Sequence, residues 1–326
     1  MTERTLAVAA VLVACGGPRA AAPDRSAYDP EPTVIAGAFP ADRGPDGNSV
    51  ILRAPRGLIV VDTGRHTEHQ DKLLAFARQA GAPIAAIVNT HWHLDHTGGN
   101  AELRAVHPGA EIIATRAVEG ALVGFFPKGR AQGQALIASG KATPQQIADI
   151  ELGRSAIDDT RNLLPTRPIA QSGAVDIAGR RLDLHVAPFA ATEADLWIYD
   201  AATRTAIAGD LVVAEVPFFD SGCPEGWRAA LGEIAATPFV QLIPGHGEPM
   251  TRDAFARWRA AFDALLDCAA SPAEVATCVA GWRTGAAAFI PAGDEARIDE
   301  YTTYYVTDIL RSPAAHERFC HPLRAE

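Results

Sequence analysis

The chain has 326 residues, of which 48% are hydrophobic and 21% charged, and its formal net charge is −10. That length holds one large domain with appendages, or two small domains. The acidity argues against a protein that tracks nucleic-acid phosphates, which would present a basic face.

The start reads as a targeting segment. "MTER" carries one arginine, and "TLAVAAVLVA" is an apolar run of ten residues, too short to span a bilayer and suited to a signal h-region. It ends in Leu12-Val13-Ala14-Cys15, which resembles a bacterial lipobox. There the signal, residues 1–14, is cut off and Cys15 is acylated, giving a periplasmic or outer-membrane-anchored lipoprotein. The alternative is an ordinary signal peptide cut near "PRAAAP". Residues 15–32, rich in Ala, Pro, Gly and Asp, read as a linker.

Next, "NSVILRAP" and "GLIVVDTG" are short β-branched runs around a Pro-Arg-Gly turn, which predicts a hairpin. "HTEHQDKLLAFARQAG" is a helix with Leu73, Leu74, Phe76 and Ala77 on one side and a closing glycine. "IAAIVNT" is a buried strand, "NAELRAVHPG" a short helix and "AEIIAT" another strand. Residues 117–163 break the alternation as a helical insertion. Strands resume from Ile169 with "GAVDIAG", "RRLDLHVAP", "ADLWIYD", "TAIAGDLVV" and "FVQLIPGHG". Residues 251–326 form a C-terminal helical extension.

There are five cysteines. If Cys15 takes lipid, an even number remains, all in the last third, away from the histidines and without zinc-finger spacing. An oxidising compartment makes them disulfides. Cys268 and Cys278 flank a Ser-Pro turn between helices and are expected to pair, which leaves Cys223 with Cys320.

The stretch "NTHWHLDHTGGN" spends three of the chain's ten histidines on one turn after a strand. In extended geometry His91 and His93 point the same way, and Asp95 and His96 follow as the chain turns into a helix. Divalent transition ions prefer imidazole and carboxylate, and zinc holds its ligands at about 2 Å. The spacing suits two ions, one on His91 and His93, the other on Asp95 and His96. "VVDTG", "AGDLVV" and "IPGHG" add Asp62, Asp210 and His246, each at the end of or just after an apolar strand and next to or near glycine.

"HWHLDH", preceded by "VDTG" and followed by "GDL" and "PGHG", resembles the metallo-β-lactamase superfamily over roughly residues 45–250. The resemblance implies an α/β fold, an αββα sandwich with a metal site at one edge, over residues 33–250. Carried over residue by residue, it puts His91 and His93 in a first metal site and Asp95, His96 and His246 in a second. Asp210 matches the carboxylate that bridges two metals, and Asp62 a residue that orients the metal loop.

One ligand departs from the pattern. The family has a histidine in an "HT..D" segment where this chain reads "PFAATEADLWIYD"; aligning Thr192 and Asp195 puts Ala191 at that place. His185 and Glu193 are the alternatives for completing the first site. The expectation is one tightly bound Zn²⁺ in the second site and partial occupancy of the first.

The implied activity is a zinc-dependent hydrolase acting on a small-molecule ester, lactone, β-lactam or related bond. It would use a metal-bound hydroxide, with Asp95 or Asp210 holding the water and taking its proton. The insertion would cover the site, where Phe125, Phe126, Lys128 and Arg130 either grip an anionic, partly apolar substrate or form a buried pair beside solvated charges. The rival reading is a non-catalytic metal-binding accessory lipoprotein that kept the fold.

Overall fold

The computed structural model describes residues 30–40 and 42–321. The signal segment, Cys15 and most of the linker lie outside the described residues.

Two six-stranded sheets face each other. The first runs in order through β1 (Thr33–Ile35), β2 (Ser49–Ala54), β3 (Gly57–Val61), β4 (Ile84–Val88), β5 (Glu111–Ala114) and β6 (Arg167–Pro168). The expected hairpin is β2–β3, with Ala54 opposite Gly57. From β3 to β6 the strands are parallel, so both faces of this sheet must be covered. Side-chain alternation meets that demand. Val50, Leu52, Ile59 and Val61 point into the layer between the sheets, where they meet Leu182, Leu184, Ile198 and Ile243. Ile51, Leu58 and Val60 point outward under Leu73, Leu74 and Ala77 of helix α1 (Thr67–Ala80). The glycine that closes α1 is Gly81, in the left-handed conformation at φ 60°.

The second sheet runs through β7 (Gly173–Ile177), β8 (Arg180–Pro188), β9 (Ala194–Asp200), β10 (Thr205–Val213), β11 (Gln241–His246) and β12 (Met250–Thr251). Its outer face carries a second core with Trp227, Trp258, Phe262 and Trp282. These come from α7 (Pro224–Ala236), α8 (Arg252–Ala270) and α9 (Val275–Gly285). The result is helices, sheet, sheet, helices: the expected sandwich.

Every residue of β10 is buried, and its register against β11 shifts twice, between Ile207 and Gly209 and again before Val213. Carbonyls that leave the ladder there need other donors. Three indoles provide them. Trp227 Nε1–H donates to the Leu211 carbonyl at 2.9 Å, Trp258 Nε1–H to Val213 at 3.0 Å and Trp282 Nε1–H to Glu215 at 3.0 Å. Helices α7, α8 and α9 thus pin the irregular strand that carries Asp210.

Residues 117–162 are helical, through α4 (Ala117–Val123), α5 (Phe125–Ala138), α6 (Pro144–Asp158) and a closing turn. A capping box at Thr143 and Gln146, with Pro144 at the first position, starts α6. One buried group ties α6 to the body. His66, 4% exposed, meets Asp46 Oδ2 through Nδ1 at 2.9 Å and Asp149 Oδ1 through Nε2 at 2.9 Å. The Gly44 N–H donates to the other Asp149 oxygen. Carboxylates accept only, so both ring nitrogens must carry protons and His66 is an imidazolium.

The hydrogen bond to Asp46 raises the His66 pKa against the pull of burial, and Asp149 raises it further. A histidine whose folded pKa lies above its unfolded value, about 6.5, stabilises fully below that pH and loses the contribution as pH rises through the folded value. Limited proteolysis of the insertion should therefore accelerate with rising pH above about 6.5. His66→Ala should remove that pH dependence and cost about 3–5 kcal/mol, as for a broken buried pair. A wild-type cleavage rate unchanged through this range would contradict the clasp.

Candidate metal centre

The parallel pairs β3–β4 and β10–β11 open their carboxyl ends toward one edge, and the six candidate ligands converge there. β4 ends at Val88, and the chain then passes through Thr90, His91 and His93 into the short helix α2 (Leu94–Thr97), which holds Asp95 and His96. Two glycines allow the approach of the other sheet. Gly209 sits at φ +52° with a Cβ position 2.5 Å from Thr90 Oγ1, and a Cβ on Gly245 would lie 2.0 Å from Asp210 Oδ1. Neither place accepts a larger residue without displacement.

Hydrogen bonds behind the rings decide which nitrogen each presents. Thr90 donates its hydroxyl to Asp62 Oδ2 at 2.7 Å, so at 3.0 Å it accepts from His91 Nδ1–H. His96 Nδ1–H donates to the same Asp62 oxygen at 2.8 Å. Ser221 donates to the Ala191 carbonyl at 2.9 Å, so it accepts from His93 Nε2–H at 2.9 Å. Burial pushes His91 well below the ordinary imidazole range and also lowers His93, which keeps both rings neutral. His91 Nε2 and His93 Nδ1 are therefore bare lone pairs, yet they lie 3.0 Å apart. Two lone pairs at that distance repel unless a cation sits between them.

The second group is as tight. His96 Nε2 is 3.3 Å from His246 Nε2 and 3.0 Å from Asp210 Oδ1. His246 Nε2 is 3.1 Å from Asp95 Oδ2 and 3.5 Å from Asp210 Oδ1. Ligands about 2.0–2.1 Å from one tetrahedral zinc lie about 3.3 Å from each other, so four donors fit one ion. Asp210 is 2% exposed, and neither of its oxygens has a well-formed hydrogen bond. Buried carboxylates are normally saturated; this one faces both groups, with Oδ2 3.6 Å from His91 Nε2. Despite the burial that opposes charge, Asp210, Asp62 and Asp95 hold His96 well above its ordinary pKa. The negative charge calls for a cation at His96 Nε2, whether a proton or a metal.

The first group is short of a donor. The turn after β8 has the expected Thr192–Asp195 pair, with the Thr192 N–H and hydroxyl both on the Asp195 carboxyl, which burial pushes up to about 7. Ala191 lies in that turn, fully buried, and brings only its carbonyl, to Ser221. Neither alternative joins the donors in the structure. Glu193 accepts the Trp92 indole N–H at 2.8 Å, and His185 stacks on Trp197 at 3.8 Å. Among the described residues, the first group is His91, His93 and Asp210 alone. Ser221 escaped sequence reasoning: it sits on a single 3-10 turn, Phe219–Ser221, without periodic signal.

A cleft of about 610 Å³ opens onto His93 and Asp95. Phe125 and Phe126 both line it beside Trp92, Phe125 at 4.8 Å between rings and Phe126 the more deeply buried, 4% exposed. Lys128 and Arg130 stand on the rim, Arg130 paired with Asp158. The opposite wall comes from the C-terminal helices, with Tyr301, Tyr304 and Tyr305; the last two donate their hydroxyls to Asp220.

Residues 42–280 match the family described as the Metallo-beta-lactamase superfamily. The chain belongs to that superfamily. Among curated relatives of this superfamily member, a linear primary-alkylsulfatase from Pseudomonas sp. is 29% identical over 245 residues, 63% of this chain and 44% of that protein. A hydroxyacylglutathione hydrolase from Polaromonas sp. is 46% identical over 54 residues, 17% of this chain and 20% of that protein. The chain thus spans less than half the length of either. Two solved structures share its fold. The metallo-beta-lactamase from Pontibacter korlensis has a TM-score of 0.50 at 16% identity, over 72% of this chain and 99% of that one. The stereoselective inverting sec-alkylsulfatase Pisa1 from Pseudomonas sp. has 0.53 at 17%, over 82% and 49%.

The three-donor group generates a stoichiometry. Wild-type protein should retain close to one zinc on dialysis, and Ala191→His should raise the count toward two, read by elemental analysis. Two full equivalents in the wild type would show that the first group is complete without Ala191. Ser221→Ala frees the His93 ring and should weaken the first group's zinc by about 10–100-fold.

Proposed function

We propose that the protein is a zinc-dependent hydrolase of anionic esters that carry an apolar portion, alkyl sulfates foremost. One observation carries the metal dependence: two bare imidazole nitrogens beside a buried, unsatisfied Asp210, behind a cleft lined by His93 and Asp95. The donor set of imidazoles and carboxylates fits zinc. When bound, zinc lowers the pKa of water to about 7 and polarises a substrate oxygen.

The chain's own residues supply the rest. Asp95 reaches the cleft, whereas Asp210 is buried behind the histidines, so Asp95 is the carboxylate placed to take a proton from an attacking water. Lys128 and Arg130 face an anionic group at the rim, and Phe125, Trp92 and Tyr301 offer an apolar wall. Cations beside aromatic surface suit a charged head on a hydrophobic tail. The alkylsulfatase relative supports a sulfate ester in particular.

Export and anchoring through acylated Cys15 belong to this proposal, supported by the sequence around Cys15 and by two cysteine pairs at disulfide distance. Among the described residues no helix is long and apolar enough to cross a membrane. Ala191 favours a second reading, the non-catalytic accessory lipoprotein.

A panel of medium-chain alkyl sulfates, aryl esters, lactones and β-lactams decides between the two. The expected result is turnover of the alkyl sulfates, abolished by chelation, restored by zinc, and reduced by about 10²–10⁴ in Asp95→Asn. Zinc bound with no turnover of any member would support the accessory reading.

A further inference from the structure

Arg65 lies on the turn between β3 and α1, shortly after Asp62, and has no part in the donor groups. Its backbone is fixed on both sides. The N–H donates to Asp46 Oδ1 at 2.6 Å, and the carbonyl accepts from Gln70 Nε2 at 2.9 Å. Gly64, at φ 69°, makes the bend just before it, where a Cβ would lie 2.5 Å from the His69 ring. A Cβ on Gly98, which follows α2, would lie 3.3 Å from the Arg65 Cα. The residue therefore packs against the end of the helix that holds Asp95 and His96. Its side chain lines the cleft together with His93, Leu94 and Asp95.

The protein does not use this charge internally. Among the described residues Arg65 makes no ion pair, and its Nε–H is buried without an acceptor, although buried donors are normally satisfied. Packing holds the side chain instead: a Cβ on Gly44 would lie 2.2 Å from Nη1. The carboxylates of the turn are committed elsewhere. Asp46 and Asp149 both pair with His66, and both accept backbone N–H groups. Burial pushes the Asp95 carboxyl up, His96 and His246 hold it well below its ordinary range, and Arg65 adds to that pull. Other cations of the cleft stand differently. Arg130 pairs with Asp158 and Arg154 with Glu151, while Lys128 is exposed on α5, where water and salt screen it.

We propose that Arg65 anchors the anionic head of the substrate, the sulfate group of a sulfate ester, and so selects charged esters over neutral ones. The inference deepens the hydrolase reading and rests on it for the identity of the head. A guanidinium offers N–H donors in a planar fork, which matches two oxygens of one oxyanion in a way that an ammonium does not. The position suits the role. A head held at Arg65 stays in the part of the cleft that Asp95 and His93 line, and Trp92 and Phe125 give apolar surface to the tail. Lys128 and Arg130, at the rim, then draw the anion in, and Arg65 holds it.

The test uses the zinc-loaded full chain and calorimetric binding of 1-octanesulfonate, whose carbon–sulfur bond resists hydrolysis, with 1-octanol as the neutral counterpart. Arg65→Ala and Arg65→Gln should weaken the sulfonate about 10–100-fold, the loss of charge-assisted hydrogen bonds, and leave octanol within about twofold. Arg65→Lys should fall between, and Lys128→Ala should lose less than Arg65→Gln. Zinc content equal to wild type shows that a variant keeps its donor groups. Glutamine retains most of the stem that packs on Gly44, so it carries the test if alanine disturbs the turn. No sulfonate binding, binding that neither variant weakens, or equal weakening of octanol overturns the proposal. So does a loss in Lys128→Ala as large as in Arg65→Gln. Arg65-dependent sulfonate binding without turnover of alkyl sulfates strikes the hydrolase reading and leaves the anion site standing. Turnover with Arg65-independent binding does the reverse.

Discussion

One carboxylate sets the geometry on which the site depends. Asp62 accepts the Thr90 N–H at Oδ1 and both the Thr90 hydroxyl and His96 Nδ1–H at Oδ2. Through Thr90 it also fixes His91. A single side chain therefore turns one imidazole of each donor group so that its Nε2 faces inward. The backbone of Asp62 is held at φ 59°, a left-handed conformation costly for a non-glycine residue. Strand β3 and the three acceptor contacts hold it there. Strain of this kind persists where its surroundings over-determine it.

The layers around the site each have a part in that arrangement. The inner core fixes the separation of the sheets, and with it the distance between the histidine turn on one sheet and Asp210 and His246 on the other. The indoles of α7, α8 and α9 stabilise the irregular end of β10, so its loss of ladder bonds leaves no unsatisfied carbonyl at Leu211, Val213 or Glu215. The insertion and the C-terminal helices then wall the cleft from two sides. One is fastened by the buried His66 imidazolium and the other by the Cys223–Cys320 link. Burial of His91, Asp95, His96, Asp210 and His246 strengthens each electrostatic contact among them.

Much of this was legible in the sequence because it is local. Alternation in "NSVILRAP" and the Gly81 stop on α1 follow from strand and helix periods, and six ligand candidates stand out as polar residues punctuating apolar strands. The edge strands β1, β6 and β12 are two or three residues long, too short to carry a period. What stayed hidden is what tertiary structure brings together. Ser221 meets His93 across 128 positions, and Asp149 meets His66 across 83. Tyr304 and Tyr305 reach Asp220 from 84 and 85 residues away. Nothing in the local pattern of these residues distinguishes them from ordinary surface or turn residues. The Phe125–Phe126 pair shows the same limit: both rings pack against Trp92 and line the cleft, Phe126 more deeply buried, and two adjacent phenylalanines in a sequence do not reveal that.

The account rests on which ring nitrogens are bare. Long-range ¹H–¹⁵N correlation spectra of the metal-free protein, labelled at histidine, read this directly. The prediction is a proton on Nδ1 and none on Nε2 of His91, and a proton on Nε2 and none on Nδ1 of His93. Zinc should then shift the nitrogens that point inward. A His93 ring with its proton on Nδ1 would contradict the account, because that nitrogen would be a donor to His91 rather than a ligand facing it.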